Sequence, residues 1–448
     1  MTRRKVICFN ALFDYTFLYL EIAKKLGDRY TIVWYCGRDR EYEILISHGV
    51  APKDICVLHK VDDLAETQMV PLTESVFTAS SIYSADRFLK NKSNHFKRGL
   101  LASIEVSFNQ FLKEHHIDLV MGEPVNAVDL AVVNICASHG VPYLFPQTAR
   151  MPSDFFIFEL FDGSGEAIKN SSGPQGLELT PEDINRKPDY FFLNDGGRLN
   201  DSLAFIVKNF KNMVSSRESS YIRYSSFSRL TDILFSYCKT LIIKNFIKFE
   251  DIPSTGVSIF FPLHVQPELA IDVLSPVIND QFEMIKILSK AAPDGYTILV
   301  KPHSNFLSDF SLNFLRSCTK LHNVRLLSPD TDSHVIIQNC NMVFTFSGTA
   351  AYEAFFFSKP AIMLANTFFD KLPNIVKSPD FLGLPLLMRK LKKLPCDYDP
   401  MAEFREKISP SLFLGFFGDP FNFPKVMAEE NIELLKLAII DAVDNVSY

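Results

Sequence analysis

Short apolar runs alternate with helical patterns along two stretches of the chain, residues 5–145 and 256–365. Runs of about five apolar residues suit strands that are buried on both faces of a parallel sheet. Their regular alternation with helices is typical of βαβ units and predicts an α/β fold with two doubly wound domains. The predicted strands are residues 5–9, 30–35, 118–121, 141–145, 257–261, 297–300, 324–327, 342–346 and 360–364.

The chain has 448 residues, more than one compact core accommodates, which favours two domains with connections. We expect a first domain over residues 1–185, a linker over 186–255 and a second domain over 256–424. Residues 425–448 are expected to form a helix that returns to the first domain. Gly, Ser, Pro and Asn are frequent in residues 163–200, which indicates loop or linker.

Composition excludes several classes of protein. Hydrophobic residues are 47% and charged residues 22%, as in ordinary globular proteins. The net charge of −6 argues against a general nucleic-acid binder. No apolar run reaches the roughly 18 residues that span a bilayer, and Asn10 and Asp14 interrupt the N-terminal run, which argues against a signal peptide. The eight cysteines never form CxxC, so neither a zinc site nor a disulfide framework is indicated, and we expect a cytoplasmic protein.

Residues 205–248 are basic and interleaved with aromatic residues. One interpretation is peripheral contact with an anionic membrane surface. The other, which we favour, is a helical connection whose aromatic residues pack on the two domains. The segment has two acidic and eight basic residues, which gives it a net charge of +6. The basic residues are Lys208, Lys211, Arg217, Arg223, Arg229, Lys239, Lys244 and Lys248.

Polar side chains follow the first strand of the second domain, where open α/β sheets bind their ligands. The loop after residue 261 displays His264, Gln266 and Glu268, and prolines stiffen it. A carboxylate at Glu268 can attack or stabilise an oxocarbenium-like centre, or take a proton from an acceptor hydroxyl. Glu268 is therefore the catalytic candidate, with His264 orienting it or the donor. The alternative is that Glu268 caps a turn and binds substrate hydroxyls without chemistry.

The next strand ends in Lys301, Pro302 and His303. Lys301 and His303 can supply positive charge and hydrogen-bond donors to a monophosphate or diphosphate. The alternative for His303 is a neutral histidine with a structural role.

The residues Ser347, Gly348 and Thr349 lie between a predicted strand and a predicted helix. Amide groups and the positive end of the helix dipole favour a phosphate there, and Gly348 allows close approach to the backbone. Glu353, one turn into the helix, can accept hydrogen bonds from ribose hydroxyls. The alternative is a capped helix with a surface glutamate.

Three residues of the first domain are candidates for the acceptor side of the crevice. Asn10, Glu123 and Arg150 each follow a predicted strand at its carboxyl end. For Glu123 and Arg150 the alternative is a solvated salt bridge.

A metal site is not clearly indicated. Asp330, Thr331 and Asp332 have the DxD form that binds Mg²⁺ with a nucleotide in some transferases. The motif precedes a predicted helix, however, where aspartate caps helix N-termini, and we expect a cap.

The motifs FFPLHVQPE (260–268), DQ (280–281), VKPH (300–303) and SGTAAYEAFFFSKPAIML (347–364) resemble those of bacterial capsule and surface-polysaccharide glycosyltransferases. This family includes relatives of the transferases that use CMP-Kdo. The resemblance implies a GT-B architecture, in which two Rossmann-like domains face each other across a cleft. It also implies that the second domain binds most of the nucleotide sugar and the first domain most of the acceptor.

The resemblance assigns roles to individual positions. The phosphate motif of the family corresponds to Lys301–His303, and its nucleotide motif corresponds to Ser347–Thr349 and Glu353. The loop with an acidic catalytic residue corresponds to Gln266 and Glu268, where Kdo transferases commonly carry aspartate.

The sequence therefore predicts a glycosyltransferase that moves a sugar from a nucleotide-activated donor, such as a CMP-Kdo-like one, to a growing bacterial surface glycan. That glycan is a capsule, an O-antigen or a lipopolysaccharide, and no cofactor is predicted. A nucleotide-sugar 2-epimerase uses the same two-domain plan and is one alternative. A non-catalytic glycan-assembly subunit is the other.

Overall fold

Two separate β-sheets organise the chain in a computed structural model. The structure describes residues 3–58, 70–174, 177–186, 238–266, 269–378, 380–393, 397–421 and 423–446. Helices cover both faces of each sheet, so the predicted α/β fold with two Rossmann-like domains is confirmed. The strands are β1 Val6–Ala11, β2 Thr31–Cys36, β3 Ile55–Val57, β4 Leu119–Met121, β5 Tyr143–Thr148, β6 Phe155–Leu160, β7 Glu166–Ala167, β8 Val257–Pro262, β9 Tyr296–Lys301, β10 Val324–Leu326, β11 Met342–Thr345, β12 Ala361–Met363, β13 Ile375–Lys377 and β14 Phe413–Leu414.

The helices alternate with the strands through most of the described chain. Residues 238–246 are also helical. The labelled helices are α1 Tyr15–Leu26, α2 Asp39–Ser47, α3 Ala79–Ala85, α4 Asn94–His115, α5 Ala127–Ser138, α6 Pro181–Asn185, α7 Gln281–Ala291, α8 Leu312–Thr319, α9 Ser333–Asn339, α10 Ala350–Phe356, α11 Leu384–Leu391, α12 Pro400–Lys407 and α13 Glu429–Asn445.

The first sheet has the strand order β14-β6-β5-β4-β1-β2-β3, and β7 pairs with β6. Its strands from β5 to β3 are parallel, whereas β6 is antiparallel to β5 and β14 is antiparallel to β6. The antiparallel strands were not predicted, and β7 and α6 fall in the region that was predicted to be loop. The apolar run Phe155–Phe158 forms β6 because it is buried between the core and the returning end of the chain.

The second sheet has the order β10-β9-β8-β11-β12-β13, and its strands are all parallel in the described residues. The pleat of β8 explains its apolar run, because Ile259 and Phe261 pack on one face while Phe260 packs on the other. The carboxyl ends of β8, β9 and β11 lie at one edge of this sheet. That edge carries the loops in which the sequence predicted ligand-binding residues.

The end of the chain packs against the first sheet. Leu435 and Ile439 of α13 share a core with Leu18 and Ile22 of α1. Lys25 Nζ lies 2.9 Å from a Glu433 carboxylate oxygen, which adds an ion pair to the apolar contact. Residues that precede and follow the second sheet therefore build the first domain together.

The two domains also share a core. Ala149 and Met151 of the first domain lie in one apolar cluster with Phe260 and Tyr352 of the second. The Tyr352 hydroxyl donates a hydrogen bond to the Met151 carbonyl oxygen at 3.1 Å. One side of the cleft is therefore held closed by side chains of both domains.

Candidate functional site

His264 follows β8 and is buried at the edge where the strands end. Its Nε2 lies 3.0 Å from the Thr345 hydroxyl at the end of β11, and its backbone N–H donates to the Gln281 side chain at 2.8 Å. Burial, together with the charge of nearby His303, lowers the pKa of His264 to about 4. His264 is therefore a neutral ring that joins two strand ends.

Gly348 packs directly against this histidine. A Cβ on Gly348 would lie 2.7 Å from the Thr345 hydroxyl and 2.8 Å from His264 Cε1, so only glycine fits without a shift. The Gly348 amide donates to the Thr345 hydroxyl at 3.1 Å. That amide is therefore engaged within the protein and is not free for a phosphate, contrary to the prediction from the sequence.

The neighbours of Gly348 connect the loop to other parts of the site. The Ser347 hydroxyl donates to the Ala270 carbonyl oxygen, which ties the loop to the segment after β8. Thr349 precedes α10 and is exposed, and its side chain makes no capping hydrogen bond.

Lys301 and His303 lie at the end of β9, beside β8. Lys301 is buried and its carbonyl oxygen accepts from Leu263 N at 2.9 Å, while His303 is half-buried and close enough to affect the titration of His264. Three predicted strand ends therefore meet, and they bring together His264, His303 and Gly348.

Gln266 is exposed on the loop after β8. Its side-chain amide donates to Asp272 Oδ1 at 3.1 Å and to the Asn279 carbonyl oxygen at 2.9 Å. Glu268, the catalytic candidate, lies outside the described residues, and its assignment stays a prediction. The segment Leu269–Val273 that follows it forms a short π-helix beside the cleft.

Glu353 differs from both interpretations of its sequence position. Arg150 of the first domain donates to Glu353 Oε1 through Nε at 3.0 Å, and its Nη2 lies 2.9 Å from the same oxygen. His334 Nε2 lies 3.3 Å from Oε2. All three side chains are buried. Burial acts to raise the pKa of Glu353, but the Arg150 charge and the His334 hydrogen bond lower it below its usual value.

The Glu353 carboxylate is therefore an ion-pair partner rather than a group open to ribose, and it is not on the surface. Arg150 likewise forms a buried pair between the domains, instead of the predicted acceptor contact or solvated salt bridge. The pair forms because β5 ends directly opposite α10, a proximity that sequence separation conceals.

A cavity of ≈ 470 Å³ lies between the two domains. The first domain contributes the ends of β1 and β4 and the start of α5, and the second contributes the segment after Glu268. The lining residues are Leu12, Phe13, Ala85, Asp86, Arg87, Phe88, Glu123, Val125, Asn126, Leu269, Ala270, Asp272 and Val273.

Glu123 is the carboxylate in this cavity that remains available. No hydrogen bond or ion pair engages its side chain among the described residues, whereas Asp86 accepts from Phe88 N at 2.8 Å and Ala127 N at 3.0 Å. Asp272 similarly accepts from Gln266. Burial, assisted by the negative charge of Asp419, raises the pKa of Glu123 to about 7.

Asn10 lies behind the cavity wall and does not line the cavity. Its side-chain amide donates to Asp129 Oδ1 at 3.0 Å and to the Glu123 carbonyl oxygen at 3.2 Å. Asn10 is buried against Gly122, where a Cβ would come within 2.3 Å of the Asn10 Cβ. It therefore supports the backbone of Glu123, which corrects the prediction that it contacts the acceptor.

The DxD motif behaves as a helix cap. Asp332 accepts from His334 N at 2.8 Å at the start of α9, and Asp330 pairs with Lys244 at 3.1 Å. In the part of the chain that the structure describes, no cluster of three His, Cys, Asp or Glu side chains could hold a metal ion. Within the same residues, no helix has the length and apolar character needed to cross a membrane.

Sequence reasoning missed three contributors to the site. Thr345 is a polar residue that closes an apolar strand, and its position was a signal that could have been used. Phe13 and Phe88 line the cavity but resemble core residues in the sequence. Their contribution depends on loop geometry, such as the left-handed backbone of Phe13 with φ of 47°.

No protein-family model and no curated protein matches the chain. Several solved structures are similar over most of its length. The Thermosulfurimonas dismutans KpsC beta Kdo 2,7 transferase is 11% identical, covers 75% of this chain and 89% of its own, and has a TM-score of 0.34. Anabaena Alr3699/HepE in complex with UDP-glucose is 12% identical, covers 98% of both chains, and has a TM-score of 0.32.

The UDP-GlcNAc 2-epimerase from Neisseria meningitidis bound to UDP-GlcNAc is 12% identical, covers 91% of this chain and 95% of its own, and has a TM-score of 0.25. Transferases and epimerases thus appear together among the similar structures. At these identities and TM-scores the similarity carries no argument about activity, which has to come from the residues of the site.

Proposed function

We propose that this protein is a glycosyltransferase that transfers a sugar from a nucleotide-activated donor to an acceptor of a bacterial surface glycan. One observation carries the proposal: the unengaged carboxylate of Glu123 lines the cavity between the domains, opposite a segment of the second domain. In that segment, the Ala270 carbonyl oxygen accepts a hydrogen bond from the Ser347 hydroxyl in the loop that also contains Gly348. A donor at the second domain and an acceptor at the first would meet there.

Glu123 suits the role of general base toward the acceptor hydroxyl. A base works best when its pKa lies near the working pH, and burial raises the pKa of Glu123 to about 7. Proton transfer by a positioned side chain contributes about 10²–10⁴-fold to rate. In this proposal the Glu123 carboxylate accepts the hydroxyl proton while the acceptor oxygen forms its bond to the anomeric carbon. The bond between that carbon and the donor phosphate oxygen breaks, and the phosphate leaves with the bonding electron pair.

The donor phosphates are proposed to lie against His303, Lys301 and the exposed end of the loop at Thr349. Positive charge and hydrogen-bond donors there would stabilise the leaving phosphate. His264 is neutral and bonded to Thr345, so we assign it to holding the loop rather than to proton transfer. Glu268 remains the predicted nucleophile or second acid–base group.

The alternative activity is epimerisation of a nucleotide sugar without an acceptor. One observation favours it: two carboxylates of the first domain, Glu123 and Asp86, lie in the same cavity. Proton removal and return at a sugar carbon requires acid–base groups beside the sugar. Asp86 is bonded to two backbone amides, however, and this leaves Glu123 as the available group.

A thermal-shift screen against CMP, UDP, GDP, CDP and TDP sugars tests the proposal first. A ligand at 100 times its Kd stabilises the fold by about 2.7 kcal/mol, which such a screen detects. The stabilising donor is then incubated with the protein, with and without glycan acceptors. Acceptor-dependent transfer supports the proposal, and a changed sugar without acceptor supports epimerisation.

Two further outcomes complete this test. Binding of glycan without any nucleotide would point to the non-catalytic assembly subunit. A chain that binds neither nucleotide sugar nor glycan would overturn the proposal altogether.

A further inference from the structure

The second domain has a helical layer on the face of its sheet that shares no core with the first domain. We call this the outer layer, and it consists of residues 238–246, α7, α8 and α11. Its inner side is apolar: Ile243, Met284, Leu315 and Leu384 are buried against the sheet residues Ile259 and Phe261. The opposite face of the sheet carries the contacts to Ala149 and Met151 of the first domain.

The outward side of α11 carries exposed apolar side chains beside its charged ones, whereas a solvent-facing helix surface is usually polar. Leu382, just before the helix, is 96% exposed, and Leu386 within it is 73% exposed. Leu384, Met388 and Leu391 fill the core beneath. Isolated exposed leucines are common, but two that protrude this far and lie one helical turn apart are unusual.

The charges around these leucines are mostly positive; the exception is Asp380, whose carboxylate accepts from the backbone amides of Leu382 and Gly383. Residues 381–393 contain four basic residues and no acidic residue, although the chain as a whole has a net charge of −6. The four basic side chains are exposed: Arg389, Lys390, Lys392 and Lys393. An apolar ridge with a basic border matches the interface of an anionic bilayer, where aliphatic groups insert and ammonium groups meet headgroups.

A second element of the outer layer repeats this pattern. In the helix at 238–246, Ile243 is buried while Leu241, Ile242 and Phe246 are exposed. Residues 238–248 contain three lysines and no acidic residue. Lys244 is paired with Asp330, and Lys239 and Lys248 add charge to the same segment. Two elements that are distant in sequence thus carry exposed apolar groups with basic neighbours on one layer.

We propose that the outer layer of the second domain docks onto an anionic lipid surface, with Leu382 and Leu386 inserting below the headgroups. Charge complementarity favours this occupant, because residues 238–248 and 380–393 together carry seven basic residues and one acidic one, Asp380. An acidic protein partner is the competing occupant, and it becomes an outcome of the test. The proposal concerns binding alone and does not depend on the reaction in the cleft.

Vesicle flotation tests the docking with the full chain. The probes are vesicles of equal parts phosphatidylglycerol and phosphatidylcholine, compared with phosphatidylcholine alone. We expect binding to the anionic vesicles that weakens in high salt, and a drop of at least about tenfold for the double variant Leu382→Ser/Leu386→Ser. The matched control is Leu414→Ser/Leu437→Ser, two exposed leucines of β14 and α13, which should bind as the wild type does.

Charge variants test the contribution of the basic residues to binding separately from that of the exposed leucines. Arg389→Glu/Lys393→Glu should lower binding to anionic vesicles at least about tenfold, whereas Lys90→Glu/Lys113→Glu on the first domain should leave it unchanged. All eight positions in these variants are exposed, so unfolding temperatures should stay within a few degrees of wild type.

Three results would overturn the proposal. The first is absence of binding to anionic vesicles, which is the result expected if an acidic protein is the occupant instead. The second is equal binding to neutral and anionic vesicles. The third is equal loss of binding in the test and control variants.

Discussion

Two glutamates that follow parallel strands, Glu123 after β4 and Glu353 after β11, have opposite environments. Glu123 faces a cavity, its side chain has no hydrogen-bond or ion-pair partner among the described residues, and its pKa is raised to about 7. Glu353 is enclosed between the domains by Arg150 and His334, and its pKa is lowered. Burial acts in the same direction on both carboxyls, so the cation at Glu353 makes the difference.

The comparison shows that a carboxylate near a strand end is a candidate for catalysis only when no cation or hydrogen-bond donor of the protein already occupies it. Glu353 is committed to holding α10, and the loop before it, against the first domain. Glu123 is held in place by its backbone, through Asn10, while its side chain stays available. In the sequence both glutamates are candidates for ligand contact. The contacts of their side chains in the structure distinguish them.

The largest expected effect comes from removing the available carboxylate. Glu123→Gln should lower the transfer rate by about 10²–10⁴-fold with little change in donor affinity, because it removes the base without changing the shape of the cavity. In the wild type, kcat/KM should fall as pH drops below about 7, where Glu123 becomes protonated. Steady-state kinetics over a pH series measure both.

The matched control is Glu114→Gln, which neutralises an exposed glutamate at the end of α4 and should leave the rate unchanged. A Glu123→Gln variant with wild-type turnover would remove Glu123 from the chemistry and leave Glu268 as the remaining candidate.

The next effect concerns stability. Arg150→Met should lower the free energy of unfolding by about 3–5 kcal/mol, because it leaves the Glu353 carboxylate buried without its cation. Arg405→Met is the control, since Arg405 pairs with Glu178 at 3.6 Å on the surface, and should cost less than about 1 kcal/mol. Urea denaturation followed by circular dichroism compares the two.

A double variant sharpens this comparison. Arg150→Met/Glu353→Gln removes both charges and should recover part of the loss, because no buried charge is then left alone. Losses that simply add would mean that Arg150 and Glu353 contribute independently.

A smaller loss of stability is expected from a substitution in the loop after β11, where Gly348 contacts His264. Gly348→Ala should cost about 1–3 kcal/mol of stability and weaken donor binding, because the new Cβ would lie 2.7 Å from the Thr345 hydroxyl. Gly37→Ala is the control, since its Cβ would meet only Val128 at the ordinary distance of 3.5 Å. Similar stability for both variants would show that the loop can shift away from His264.

The smallest effect is a pH-dependent gain in stability for Glu123→Gln. The folded-state pKa of Glu123 is raised from its usual 4.5 to about 7, so the wild type loses stability as pH rises through that interval. Glutamine does not ionise, and the variant should therefore be more stable than wild type at pH 8, by on the order of 1 kcal/mol, but not at pH 4. Chemical denaturation at the two pH values measures the difference in the free energy of unfolding between variant and wild type. If the ionised carboxylate stabilises the fold, the variant is instead less stable than wild type at pH 8.

Local sequence predicted the strand ends well because their signals are local. The apolar runs of β8 and β9 are soon followed by Pro262 and Pro302, and the two strands end within one residue of the predicted limits. The cap at Asp332 was readable for the same reason. These features depend on backbone preferences within a few residues.

Features that depend on distant partners were not readable. Arg150 and Glu353 are 203 residues apart, and no local pattern marks them as a pair. Strand β14 has two residues and pairs with β6 only because the chain returns to the first domain. The sequence likewise did not show that the Glu123 side chain has no partner among the described residues, since this depends on how the second domain packs against the first.

The return of the chain also affects how the protein is made. Leu18 and Ile22 of α1 obtain their apolar cover from Leu435 and Ile439, which the ribosome adds more than 400 residues later. Until then, this side of the first sheet lacks its final layer and exposes apolar surface during synthesis. The nascent chain therefore has to be kept from aggregating until α13 has left the ribosome, and premature termination before Glu429 would leave an incomplete first domain.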